Sequence, residues 1–176
     1  ASEEADYQAY LQQRSALGDL LLVGANDGLL HLFEAGGLHR YAYLPAGLQG
    51  NLQHWAAPAY GAGYGHHSGV DGQIALADAR LSAGWSTLAA AGLGAGGKGL
   101  FAVRLYDQTY AGNALGALWE VDAALPDWQA LGHVYAAPQV FNKAGRALLI
   151  TGNGYGSATG LASLLVLDAE TGELLR

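Results

Sequence analysis

The sequence predicts an all-β chain, and three observations carry that reading. It holds 27 glycines in 176 residues, most of them clustered between apolar runs, as in a protein of many tight turns. The apolar runs are short and strand-like. One pattern also recurs: apolar run, glycine-rich turn, apolar run, acidic residue. It is seen in LLLVGANDGLLHLFEAGG (20–37), STLAAAGLGAGGKGLFAVRLYD (86–107) and LLITGNGYGSATGLASLLVLDAETG (148–172), with Glu34, Asp107 and Asp168 as the acidic ends. A period of roughly 45–70 residues suggests small sheets arranged radially, as in a β-propeller. Each such sheet buries too little by itself, so neighbouring blades must stack.

The elements follow in order. Residues 2–17 predict a helix: Ser2 is placed to cap it, Glu3 and Glu4 suit its positive end, and Arg14 suits its negative end. Tyr7, Tyr10, Leu11, Arg14 and Leu17 share one face, and Gly18 ends the element. Leu20 to Ala25 is a strand, Asn26-Asp27-Gly28 a hairpin turn, and Leu29 to Phe33 its return. Leu38 to Leu44 makes a third strand, closed by Pro45. Residues 46–65 read as an irregular inserted surface loop. Further strands are expected at Val70–Leu76, Trp85–Ala91, Leu100–Leu105, Leu118–Val121, Ala137–Phe141, Ala147–Thr151, Ala162–Leu167 and Thr171–Leu175. Residues 106–116 are a polar connection. The organisation is thus an N-terminal helix (1–18) packed on propeller blades (19–176), with an inserted loop at 46–67.

Composition narrows the function. Apolar residues make up 51% and charged residues 13%, which excludes a disordered tail. The net charge of −7 argues against nucleic acid, since there is no basic excess to neutralise phosphates. No apolar run reaches the length of a membrane span. With no cysteine, disulfides, thiolate metal sites and cysteine nucleophiles are excluded.

The stretch GLGAGGKG (92–99) fits G-x-G-x-x-G and nearly fits G-x-x-x-x-G-K-[ST]. A phosphate loop works because it leads into a helix whose free N–H groups hold the anion. Here LFAVRLYD follows, and its Phe and Val favour a strand. Gly99 replaces the hydroxyl residue that would hold magnesium. The glycines are therefore expected to allow positive φ and close backbone approach.

Several segments together resemble the PilY-type type IV pilus proteins. They are Leu22–Phe33 (LVGANDGLLHLF), Tyr41–Pro45, Val70-Asp71-Gly72, Gly92–Gly99 with Phe101-Ala102-Val103, Leu118-Trp119-Glu120, and Gly152–Ser157. Tyr7 to Arg14 resembles the helix that precedes them. The resemblance implies a partial β-propeller with quinoprotein-like blades of antiparallel strands. It also implies an extracellular place at the pilus tip or bacterial outer surface, with roles in pilus assembly, retraction control, adhesion and twitching motility. Minor pilins or other pilus components are the implied partners, with a host receptor or glycan as further candidates. Several family members carry a D-x-D-x-D calcium loop. None occurs here, and Asp107, Asp122 and Asp127 are too scattered to replace it, so no cofactor is expected. The family pattern continues past the turn at Asp168–Gly172, so the chain is either a fragment or has its last edge covered.

His66 and His67 suggest a metal, joined by His31, His39 or His54, but adjacent strand residues face opposite ways, and no metal site is assigned. Trp55, Trp85, Trp119 and Trp128 suit blade packing better than a glycan platform. Asp27 and Asp71, the candidate acid and base of a hydrolase, sit beside glycine where turn capping is the expected role. No G-x-S-x-G elbow occurs, and Ser157 has no evident histidine partner. The chain is read as non-enzymatic, with interaction candidates Trp55, Tyr60, Tyr64, His66 and His67 on the 46–67 loop. Alternatives are a quinoprotein-like dehydrogenase, suggested by the DAETG turn, and a surface lectin.

Overall fold

Among the described residues ten strands form three antiparallel sheets, and the glycine clusters fall at hairpin turns within them. The computed structural model describes residues 3–62, 65–108 and 115–175; the expected Ser2 cap and the candidate Tyr64 lie outside them. The first sheet is β1 (Leu20–Gly24), β2 (Leu30–Glu34) and β3 (His39–Tyr43) in that order. The second runs β4 (Ile74–Leu81), β5 (Gly84–Gly92), β6 (Gly99–Asp107) and β7 (Gly116–Asp122). The third runs β8 (Gln139–Lys143), β9 (Arg146–Gly152) and β10 (Leu164–Asp168). Sequence order equals spatial order in every sheet, the up-and-down meander of a propeller blade.

Blade stacking follows from strand alternation in the middle sheet. On β5 and β6 both faces are apolar, and successive side chains point to opposite faces. Ala89, Ala91, Phe101, Val103 and Leu105 meet the first sheet through Leu30, Leu22 and Tyr43. Leu88, Ala90, Leu100 and Ala102 meet Leu149, Leu165 and Leu167 of the third. Small and large residues pair across the strands, Ala91 with Phe101 and Ala89 with Val103, so two close-packed layers fit between three sheets.

Helix α1 (Glu3–Ser15) covers a third, smaller core. Tyr10 is fully buried against Trp85 and Tyr106. Asp78 on β4 anchors the helix: it accepts from the Tyr7 hydroxyl at 2.9 Å, from Thr87 at 2.8 Å, and pairs with Arg14. Burial pushes the Tyr10 phenol up to about 12. The hydrogen bond to Asp78 raises that of Tyr7.

Several expectations need correction. The strand expected from Ala137 starts at Gln139, and the connection expected at 106–116 is overlapped by β6 and β7 at Tyr106, Asp107 and Gly116. Val70 to Gln73 is no strand; β4 begins at Ile74 and runs on to Leu81, because residues 69–73 are consumed in crossing between sheets. Residues 46–55 are not irregular: a 3-10 helix (Ala46–Asn51) leads into a helical turn, α2 (Leu52–Trp55), held by buried Leu48. The expected strand at Thr171–Leu175 is reduced to a bridge between Leu174 and Leu167. The strand expected at Ala162 starts at Leu164, because Ser163 is held by Asn153 instead.

Candidate functional site

Three glycine turns lie between equivalent strands: β1–β2, β5–β6 and β9–β10. Two connecting segments, residues 69–73 and 131–135, weave them together through the backbone. Val70 N–H donates to Ala25 O at 3.0 Å, and Gly69 N–H to Asn26 Oδ1 at 3.1 Å. The same segment then reaches the second turn, where Ala95 N–H donates to Asp71 Oδ2 at 3.2 Å. Gly94 N–H donates to Val134 O, and His133 Nδ1 contacts Gly94 O at 2.7 Å. Gly132 N–H donates to Asn153 O at 2.7 Å, while His133 and Tyr155 exchange backbone bonds. Gln73 N–H donates to Tyr135 O and joins the two segments.

This weave explains the glycines. A Cβ on Gly96 would collide with Gly69 O, one on Gly72 with Gly92 O, and one on Gly92 with Val134 O. Backbone lies where a side chain would go. After Lys98 comes β6, a strand. Three amides of the GLGAGGKG turn, those of Gly94, Ala95 and Gly96, are spent on Val134 O, the Asp71 carboxylate and Leu93 O, so these meet protein carbonyls and a protein anion where a phosphate loop would meet its ligand.

Above the first turn sits the 46–67 loop. The Trp55 ring lies on Gly28, where a Cβ would collide with it, and its Nε1–H donates to His67 O at 3.1 Å. Trp55 thus fastens the loop to the frame. The loop's outer side is an aromatic and imidazole knob. His54 stacks on His67 with ring centroids 3.8 Å apart, and Tyr60 meets His54 edge-on at 5.4 Å. His66 lies 6.4 Å from Tyr60, and His66 and His67 are both exposed. Of the sequence candidates, Tyr60, His66 and His67 therefore gather on one surface, with Trp55 behind them.

The remaining candidates serve the core or the turns. Trp85, Trp119 and Trp128 are buried. Trp119 Nε1–H donates to Ala169 O at 2.9 Å, and Gly172 sits against its ring. Asp27 Oδ1 accepts from Leu29 N–H at 2.9 Å and Oδ2 from His31. Of the scattered aspartates, Asp107 pairs with Arg104 at 2.9 Å and Asp122 caps its own turn through Ala124 N–H. A cleft of about 430 Å³ between α1 and β4 is lined by Arg14, Asp78, Thr87 and Tyr106, the same residues that anchor the helix.

Sequence reasoning missed three positioning residues. Asn153 is buried and holds Ala130 O, Leu161 O and Ser163 N–H through its side chain. Glu120 joins the second sheet to the first, accepting from the Tyr43 hydroxyl and from Ala46 N–H at 2.6 Å; burial is the main reason the Tyr43 phenol is pushed up. His133 ties two turns. Asn153 alone left a signal, since it sits between Gly152 and Gly154 in a turn.

The comparisons with known proteins agree with this architecture. A model of the PilY1 beta-propeller domain matches residues 2–176. The chain belongs to the PilY1 β-propeller domain family. Among relatives, it is 35% identical over 173 residues to a type IV pilus biogenesis factor PilY1 homolog of Xylella fastidiosa, covering 97% of this chain and 11% of that one. It is 36% identical to type IV pilus biogenesis factor PilY1 of Pseudomonas aeruginosa strain PAO1, again over 97% of this chain and 14% of the relative. The crystal structure of the P. aeruginosa PilY1 C-terminal domain superposes with a TM-score of 0.78 at 31% identity, over 99% of this chain and 33% of that one. The chain thus spans a small part of the PilY1 proteins it matches, and the part is propeller.

Proposed function

We propose that the chain is a non-enzymatic propeller module of a type IV pilus-associated surface protein. It acts in pilus assembly, retraction control, adhesion and twitching motility through protein–protein contacts, at the pilus tip or bacterial outer surface. Minor pilins or other pilus components are the partners. The observation that supports this reading is the knob of Tyr60, His54, His66 and His67, presented on a frame whose turns are spent on internal backbone bonds. Rings of this kind suit an interface: they bring large contact area and a polar edge at small entropic cost.

Deleting residues 46–65 would remove buried Leu48 and Trp55 itself, which packs on Gly28, so point changes are the better test. Tyr60→Ala with His66→Ala, placed in the full-length protein, is expected to leave the melting temperature within about 2 °C and to reduce surface piliation and twitching. Normal piliation by the folded double variant would refute a role for this surface. No cofactor is assigned to this function. Pyrroloquinoline quinone with calcium is therefore expected to cause no thermal shift, since a ligand that binds the folded state must raise it.

A further inference from the structure

We propose that His31 and His39 form a two-imidazole site for a late first-row dication, Cu(II) foremost, with Asp27 holding His31 in place. The site lies on the face of the first sheet turned away from the middle blade. It arises from a bulge. The β2–β3 register shifts between Leu32 and Phe33, so that Phe33 faces His39 and not Arg40. Opposed residues share a face, as do residues two apart on one strand, so the shift brings His39 onto the face of Phe33 and His31. Without it, Arg40 would stand there.

The distances then fix the chemistry. Asp27 Oδ1 is held by Leu29 N–H, and its Oδ2 lies 2.9 Å from His31 Nε2. An ionised carboxylate only accepts, so Nε2 of His31 carries the proton and, in the neutral ring, Nδ1 keeps a lone pair. That Nδ1 lies 3.0 Å from His39 Nε2. In the metal-free chain His39 donates this contact. When a cation enters, the neutral His39 moves its proton to Nδ1 and both facing nitrogens ligate. Two nitrogens each about 2.0–2.1 Å from a metal are about 2.9 Å apart at a right angle and about 3.3 Å apart in a tetrahedron. The 3.0 Å hydrogen bond already holds the two nitrogens near the right-angle separation, and with the ring centroids 5.1 Å apart they point at each other, so ligation requires the exposed His39 ring to swing toward a shared ion. A right-angled pair belongs to tetragonal Cu(II) or Ni(II), and Cu(II) stands highest in the affinity order.

The surroundings agree. A carboxylate on the far nitrogen of a ligating imidazole fixes its tautomer and raises its basicity. Phe33 flanks both rings, with centroids 5.9 Å from His31 and 4.9 Å from His39. Nearby Arg40 is neutralised by Glu34, so the face carries the net negative charge of Asp27. Among the described residues no group of three or more ligating side chains gathers, and water therefore completes the shell. The other histidines are arranged differently: His54 and His67 stack face to face, His54 Nε2 contacts Gly65 O at 2.9 Å, and His133 is tied to Gly94.

Cu(II) titration of this chain at pH 7.5, read by calorimetry and by electron paramagnetic resonance, tests the site. One tight equivalent is expected, with a tetragonal spectrum split by two imidazole nitrogens. His39→Gln should weaken that equivalent at least tenfold, whereas His54→Gln with His67→Gln should leave it. Asp27→Asn should weaken it about 10- to 100-fold, the range for outer partners of a ligating imidazole. His39 is exposed, so its loss should leave the melting temperature unchanged. Equal affinity in wild type and His39→Gln would overturn the proposal. So would a wild-type spectrum with fewer than two imidazole nitrogens, a result that depends on no variant.

Discussion

Single side chains decide where the backbone of this protein turns. Asn153 satisfies the carbonyls of Ala130 and Leu161 and the amide of Ser163, and so ties the third turn to the segment before β8. Asn153→Ala would strand buried polar groups, at a cost of about 2–3 kcal/mol. A drop in melting temperature of about 5–10 °C is expected for a chain of this size, and differential scanning calorimetry checks it. Asp168 offers a pH test. Burial alone would raise its pKa, but Arg146 at 2.6 Å and the amides of Thr171 and Glu170 outweigh that and lower it below 3.8. A lowered carboxylate contributes stability fully above its unfolded value and loses it as pH falls toward the folded one. Asp168→Asn should therefore lower stability at pH 7 and flatten the fall in stability below about pH 4, as urea titrations across pH would record. The sequence placed Asp27 and Asp71 as turn residues because both stand beside glycine. It assigned no role to Glu120, beyond its place in the Leu118-Trp119-Glu120 segment, or to His133, whose partners are 74 and 39 residues away.

At the scale of elements, the strands that follow glycine turns were legible, and the segments between sheets were not. Leu100 to Leu105 alternates and is β-branched or aromatic at key places, so β6 follows from propensity. Ala77 to Leu81 hides because alanine is a poor strand former; pairing with Gly84–Leu88 makes it a strand. Val70 looked like strand but is drawn out of it by bonds to Ala25 and, through Asp71, to the second turn. The helix was readable from its face, and Tyr10 proves to be its buried residue. The layered packing of β5 and β6 gives a direct test. Phe101 is 2% exposed and faces alanine across the ladder, so Phe101→Ala should cost about 3–5 kcal/mol, measured by denaturant titration. A loss below 1 kcal/mol would mean the first and second sheets are not packed through this strand.

Across the whole molecule, glycines mark the places where one backbone passes over another. Three sheets are linked by two crossing segments, and the turns close on those segments. The most direct measurement is a thermal melt of Gly96→Ala beside Gly50→Ala, each repeated with millimolar ATP and magnesium. Gly96 faces Gly69 O, while Gly50 is exposed and has open space where a Cβ would stand. The expected result is a fall of about 5 °C or more for Gly96→Ala, no loss for Gly50→Ala, and no shift with ATP in the parent protein. Equal melting of the two variants, or a nucleotide-induced rise in the parent, would contradict it.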